Sequence, residues 1–281
     1  FHMGGVILFD RNMKSPEQVK QLTSDLQAQS NEKVPLFIGI DEEGGDVVRM
    51  AEKLTPPPSQ KEIGATGDIE QAKTWAIKTA KSLKEMGINV NFAPVADVGS
   101  NDNRSYSTDV NTVINFVKAA ATGYQQENII YSLKHFPGIG KGQVDSHVES
   151  SSIDASKDTL MAEDILPFKT IINENKPEDY FILVSHLKYP ALDEEYPASL
   201  SSKIMTDLLR NELGYKGIII TDDMEMGAVA NHNDFRSIGV NAVKAGADIV
   251  LVCHEYEHQQ EVYLGLLDAV NSGEISQERI D

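Results

Sequence analysis

The densest run of chemically useful residues lies between Lys134 and His147, in the segment KHFPGIGKGQVDSH. Pro137, Gly138, Gly140 and Gly142 make this a turn-rich, pliable loop. It ends on Asp145-Ser146-His147, and in extended chain residues two apart point to the same side. Asp145 can therefore reach a ring nitrogen of His147, fix its tautomer and raise its basicity, which is what a histidine general acid/base needs. An Asx turn beside a surface histidine would produce the same tripeptide. A phosphate-cradling loop is excluded, because Lys141 stands between two glycines with no Ser or Thr after it.

Two acidic clusters follow apolar runs. Thr221-Asp222-Asp223 closes GIII, and one of its carboxylates is a candidate nucleophile or electrostatic stabiliser while the other can serve as a helix N-cap. Asp41-Glu42-Glu43-Gly44-Gly45 closes LFIGI. Three acids in a row suggest a divalent cation, yet alternate residues point opposite ways, and the glycine pair suits a chain turning close to a ligand. No HExxH or two-histidine–carboxylate pattern occurs, so the reading assigns no metal and no cofactor.

The elements that must position these residues alternate along the chain. Short apolar or β-branched runs at 5–9, 36–41, 90–98, 129–135, 180–186, 217–222 and 249–253 read as strands buried on both faces, the mark of a parallel sheet. Helical spacing occupies 69–86, with Ile69, Ala72, Ala76, Thr79, Ala80 and Leu83 on one face, and also 110–127, 160–173, 202–213, 235–245 and 258–272. Strand followed by helix, repeated, is the pattern of an α/β fold, and the length suits a TIM-type (β/α)8 barrel. Seven strands are visible, so an N-terminal strand is expected to be missing, and the last helix with it. No linker or repeat divides the chain, which reads as one catalytic domain over 1–281, with the proline run at 56–58 in a surface loop. Asp41, Asp97, Lys134, His135, His186 and Asp222 all fall at the C-terminal ends of these strands, where a barrel builds its active site.

Composition narrows the class. With 25 Lys plus Arg against 43 Asp plus Glu in 281 residues, the net charge of −18 opposes nucleic-acid and anionic-membrane partners. The single cysteine, Cys253, excludes an intrachain disulfide, and no apolar run is long enough to span a bilayer. No signal peptide is visible, so a cytoplasmic location is expected, subject to a leader removed ahead of Phe1. Trp75 and Cys253 read as core; His2, His232, His254 and His258 read as surface or helix-start residues.

Taken together, GGVILF, IDEEGGDVVR, NFAPVADV, NRSY, KHFPGxG…DSH, SHLKYPALD, PASLS and TDDMEMGA resemble the family 3 glycoside hydrolases, in particular the single-domain bacterial branch of β-N-acetylglucosaminidases. The likeness runs over essentially the whole chain, and KHFPG with DSH at this spacing is its most specific part; the two-domain β-glucosidases of the same family lack that loop. The resemblance implies a retaining exo-β-N-acetylglucosaminidase acting on a carbohydrate, muropeptide or chito-oligosaccharide. It implies that Asp222 is the nucleophile, His147 the acid/base and Asp145 its orienting partner. It further implies sugar-binding roles for Asp41, Arg49, Arg104, Lys134 and His135, with Asp97 and His186 near the site.

Two departures stand out. Ile139 replaces the second histidine of KHFPGHG, and the stretch before Arg104, GSNDN, lacks the usual proline. The alternatives are the same chemistry on a β-glucoside or β-xyloside, or a sugar-binding barrel that has lost catalysis.

Overall fold

The computed structural model describes residues 3–30, 34–50, 54–99, 103–142, 151–231 and 233–280. Asp145 and His147 lie outside the described residues. Contacts gather the chain into two units, one of His2–Lys134 with Asn173–Phe181, the other of His135–Ile172 with Ile182–Asp281.

In the first unit, strands β1 (Gly5–Leu8), β2 (Phe37–Ile40), β3 (Val90–Asn91) and β4 (Ile130–Phe136) pair in that order, all parallel. Parallel neighbours require crossovers, and helices supply them. Helix α1 (Pro16–Ala28) was not expected from the periodicity, but its start is written in the sequence: Ser15 accepts the Gln18 N–H, and Pro16 opens the first turn. Next come α2 (Gln60–Ala65), α3 (Ile69–Glu85) and α4 (Val110–Glu127), capped by Ser59, Asp68 and Asp109. Helix α3 buries Ala72, Ala76, Thr79, Ala80 and Leu83 as its spacing predicts, whereas Ile69 is exposed. The expected strand at 90–98 shrinks to two residues, because Pro94 has no N–H to give a ladder; one parallel bridge, Val95 to Lys134, follows it. Leu8, Val19, Ile38, Ile40, Leu83 and Ile88 form a core here, and Tyr131 stacks between Tyr124 and Tyr180. Trp75 is half-buried rather than core, with the Lys78 ammonium 4.4 Å from its ring centre.

In the second unit, Ser185 N donates to Phe136 O, and Asp222 N to Val184 O, both at 2.9 Å. These bonds set the end of β4 beside β5 (Tyr180–Val184) and β5 beside β6 (Ile218–Thr221). The single helix expected at 160–173 is two, α5 (Lys157–Ala162) and α6 (Leu166–Glu174), since Pro167 cannot donate to an earlier turn but can open a new one. Residues Lys203–Glu212 wind as a π-helix, and α7 (Gly227–Ala230), α8 (Phe235–Ala245), α9 (Tyr256–Ser272) and α10 (Gln277–Ile280) follow.

The seventh expected strand, 249–253, is not formed. Ile249 makes one parallel bridge to Ile220, but Leu251 N and Cys253 N then go to the side chains of Thr221 and Asp223 instead of to a backbone ladder. Cys253 is accordingly half-buried, not core. Six strands are therefore formed among the described residues, parallel and alternating with helices, an α/β fold. No described helix is long and apolar enough to cross a membrane.

Candidate active site

In the first unit, the chain leaves β2 into Asp41, Glu42 and Glu43, and the alternation of strand side chains persists. Asp41 and Glu43 point one way and share the Lys134 ammonium, at 2.7 Å and 2.6 Å. Asp41 Oδ2 also accepts from Arg49 Nη2 at 3.3 Å, and Glu43 takes Arg104 in a two-pronged pair, 2.8 Å to Nη2 and 2.9 Å to Nε. The charges thus alternate along Arg49, Asp41, Lys134, Glu43 and Arg104. Burial alone would raise the Glu43 carboxyl, but Lys134 and Arg104 hold it well below the usual carboxylate range. Burial likewise opposes the Lys134 charge, and Asp41 and Glu43 outweigh it, raising the ammonium above its ordinary value. The ammonium sits between the two carboxylates, so the acidic run forms ion pairs. Among the described residues, no three His, Cys, Asp or Glu side chains converge as metal ligands.

Glu42 points the other way. Its carboxylate accepts the Arg49 N–H at 2.8 Å, while its own backbone pairs both ways with the Asn91 side chain. Burial pushes its carboxyl up to about 6. Gly44 and Gly45 then turn the chain against its own proline run: Gly45 N donates to Pro57 O at 3.1 Å, and a Cβ on Gly44, at φ +106°, would lie 2.3 Å from Pro58 O. The glycine pair lets the chain pack closely on this segment, and Pro57 is buried. Asp97 is buried, its carbonyl accepting from Ser105 Oγ at 2.7 Å beside Arg104 in sequence. The Arg104 guanidinium reaches Glu43.

Arg49, Arg104 and Asp41 keep partly exposed side chains, whereas Lys134 and Glu43 are almost fully enclosed. Arg49 Nε is buried without a hydrogen-bond partner among the described residues. Its guanidinium carbon lies 5.3 Å from the centre of the Phe9 ring. This cluster offers charged donors and an acceptor to a polyhydroxylated ligand.

In the second unit, β6 ends at Thr221 and presents Asp222 half-buried and Asp223 nearly enclosed. Asp222 Oδ1 accepts the Asp223 N–H at 2.9 Å. Asp223 is spent on the protein: Oδ1 accepts from Glu225 N and Cys253 N, both at 3.2 Å, and Oδ2 lies 3.1 Å from His254 Nε2. It forms an Asx turn rather than capping α7, whose N-cap is Met226. Burial raises its carboxyl above the ordinary range.

His186 is buried, with Nε2 2.8 Å from Asp223 O and Nδ1 2.7 Å from Ser199 Oγ. A carbonyl only accepts, so Nε2 carries the proton, and the ring secures the Asp222–Asp223 segment from behind. His135 is buried near the end of β4, its carbonyl taking Gly138 N at 2.7 Å. Beyond it the loop is pinned by Tyr189 Oη on Gly138 O at 2.8 Å and by Lys141, whose ammonium bridges Glu163 and the enclosed Asp164. His254 and His258 are half-exposed but engaged, His258 bonding Glu225 at 2.7 Å and stacking on Phe235.

Glu43 is legible in the sequence only as one of three acids in a row, and Glu225 is assigned no role there. Two-residue spacing from Asp41 signals Glu43; nothing in the sequence signals that Glu225 gathers His258 and the backbone N–H groups of His254 and Glu255.

Residues 1–281 match the family model described as the glycosyl hydrolase family 3 N terminal domain. The chain is 35% identical over 311 residues to beta-hexosaminidase A of Pseudoalteromonas piscicida, covering 100% of this chain and 52% of that protein. It is 33% identical over 275 residues to a beta-hexosaminidase of Nitrosomonas eutropha, covering 94% and 77%. Among solved structures, a glycoside hydrolase family 3 beta-N-acetylglucosaminidase from Paenibacillus sp. superposes with a TM-score of 0.95 at 38% identity, over 100% of this chain and 54% of that one. NagZ from Neisseria gonorrhoeae, in complex with N-trifluoroacetyl-D-glucosamine, superposes with a TM-score of 0.84 at 30% identity, over 94% and 78%. This chain thus spans about half the length of the first relative and of the first structure.

Proposed function

The chain belongs to glycosyl hydrolase family 3, and on that premise we propose that it acts as a retaining exo-β-N-acetylglucosaminidase, releasing terminal β-linked N-acetylglucosamine from muropeptides or chito-oligosaccharides. The proposal includes the (β/α)8 barrel that the family resemblance implies and one catalytic domain over 1–281. The observation that carries it is the division of labour at the end of β6. Asp222 is half-buried with one oxygen held by the next N–H, whereas the neighbouring Asp223 is committed to the protein.

In the proposed reaction the Asp222 carboxylate attacks the anomeric carbon and the glycosidic C–O bond breaks. The departing oxygen takes a proton from His147. Water then attacks the anomeric carbon of the glycosyl-aspartate, gives its proton to His147, and releases the Asp222 carboxylate. Asp145 orients His147. Asp41, Arg49, Arg104, Lys134 and His135 hold the sugar hydroxyls, with Asp97 and His186 supporting them. The beta-hexosaminidase names of the relatives and the N-acetylglucosamine analogue bound by NagZ support this substrate class.

The test is turnover by purified protein of an aryl N-acetyl-β-glucosaminide beside the matching glucoside and xyloside. Preference for the first is expected. Equal or better turnover of the others would reassign the substrate, and no turnover of any would leave a sugar-binding protein.

A further inference from the structure

We infer that Glu43 is a positioning residue for sugar binding, setting Arg104 and Lys134 as a unit; this rests on the proposed activity. Its side chain is only 2% exposed, against 26% for Arg104, so Glu43 presents almost no surface of its own to a ligand while Arg104 does. One oxygen, Oε1, is shared by both cations, 2.8 Å from Arg104 Nη2 and 2.6 Å from Lys134 Nζ, while Oε2 receives Arg104 Nε at 2.9 Å. The two-pronged contact fixes the plane of the guanidinium, and the shared oxygen ties that plane to the lysine at the end of β4.

The charge sequence shows why the link matters. Three cations and two carboxylates alternate, and the interior members, Asp41, Lys134 and Glu43, each touch two opposite charges. Removing the Glu43 charge leaves Asp41 as the carboxylate on the enclosed Lys134 and takes from Arg104 its charged two-pronged contact. Two cations that repel each other then lose their common anchor. Lys134 is drawn toward Asp41, the ion pair of Arg49 with Asp41 weakens, and the Arg104 guanidinium loses the contact that fixes its plane. The loss falls on contacts made alike to bound sugar and transition state, so KM rises while kcat holds.

The experiment uses the chain with an aryl N-acetyl-β-glucosaminide. Glu43→Gln is expected to raise KM about 10- to 100-fold, the span for losing charged hydrogen bonds, and to leave kcat within about threefold. In an Arg104→Ala background the same substitution should raise KM less, because one of the two groups it positions is gone. Glu43→Asp keeps the charge but withdraws it by one methylene, and its KM should fall between wild type and Glu43→Gln. Wild-type KM in either variant, or full additivity with Arg104→Ala, overturns the inference.

If Glu43→Gln does not fold, Glu43→Asp decides the question alone. If the wild-type chain turns over no substrate, the proposed activity falls. The pairing is then read from Tm values of Glu43→Asp, Arg104→Ala and the double variant: non-additive losses support it and additive losses overturn it.

Discussion

The backbone N–H of Asp223 donates to Oδ1 of Asp222 at 2.9 Å, while the Asp223 carboxylate points away to Cys253 N, Glu225 N and His254. Adjacent acids of the same type thus sit differently: Asp222 is half-buried with Oδ1 on the next N–H, and Asp223 is nearly enclosed with both oxygens on distant partners.

Asp222→Asn is expected to abolish turnover with the Tm unchanged within a few degrees, because a carboxamide cannot form and release the glycosyl ester. A fluorinated N-acetylglucosaminyl inactivator should label Asp222, read by peptide mass spectrometry. Label on Asp223 would reverse the assignment.

His147→Ala should lose about 10²- to 10⁴-fold on a disaccharide or a poor aryl leaving group, the range of general acid catalysis. With dinitrophenyl as leaving group, the first step should be nearly unaffected, glycosyl-enzyme should accumulate, and azide should speed its breakdown. Asp145→Asn should show a weaker form of this pattern. Single-turnover rates across leaving groups check it, and an equal loss on all of them would remove His147 from proton transfer.

Glu42 makes stability depend on pH in a definite direction. Its carboxyl rises from 4.5 to about 6 in the folded chain, so between those values the folded state binds more protons than the unfolded one. Its contribution is then most favourable below pH 4.5 and is lost as pH rises through 6, a swing of roughly 2 kcal/mol. Glu43 acts oppositely, its lowered carboxyl contributing above 4.5 and losing that contribution as pH falls further. Denaturant unfolding of Glu42→Gln from pH 4 to 7 should therefore gain on wild type as pH rises. A constant difference would refute it.

Gly44→Ala should lower both stability and sugar affinity. Its φ of +106° is strained for alanine, and the new Cβ would meet Pro58 O at 2.3 Å. Relief by shifting the 41–45 turn displaces Asp41 and Glu43. A loss of about 2 kcal/mol or more in unfolding free energy, with a raised KM, is expected. An unchanged Tm would show that the turn yields freely.

Local physics made much of this protein legible in its sequence. Helix α4 at Val110–Glu127 and α8 at Phe235–Ala245 match their spacing to the residue, since Asp109 and Asp234 start them and apolar positions recur on one face. The parallel strands could be read because chain buried on both faces must be apolar throughout. The motifs pointed to a family 3 glycoside hydrolase, and the family model bears that out.

What remained hidden depended on partners distant in sequence. A run such as 249–253 is apolar whether or not it joins a ladder, and the Thr221 and Asp223 side chains, about 30 residues earlier, take its Leu251 and Cys253 N–H groups. Glu43 lies 61 residues from Arg104, and Glu225 lies 33 from His258. Nothing local marks one acid of a cluster as an ion-pair hub, because that role is set by which cations the folded chain encloses with it. Sequence alone determined the residue types, their periodicity and the family; tertiary structure decided which carboxylate is spent on the protein and which stays partly open, since burial and pairing exist only once distant segments meet.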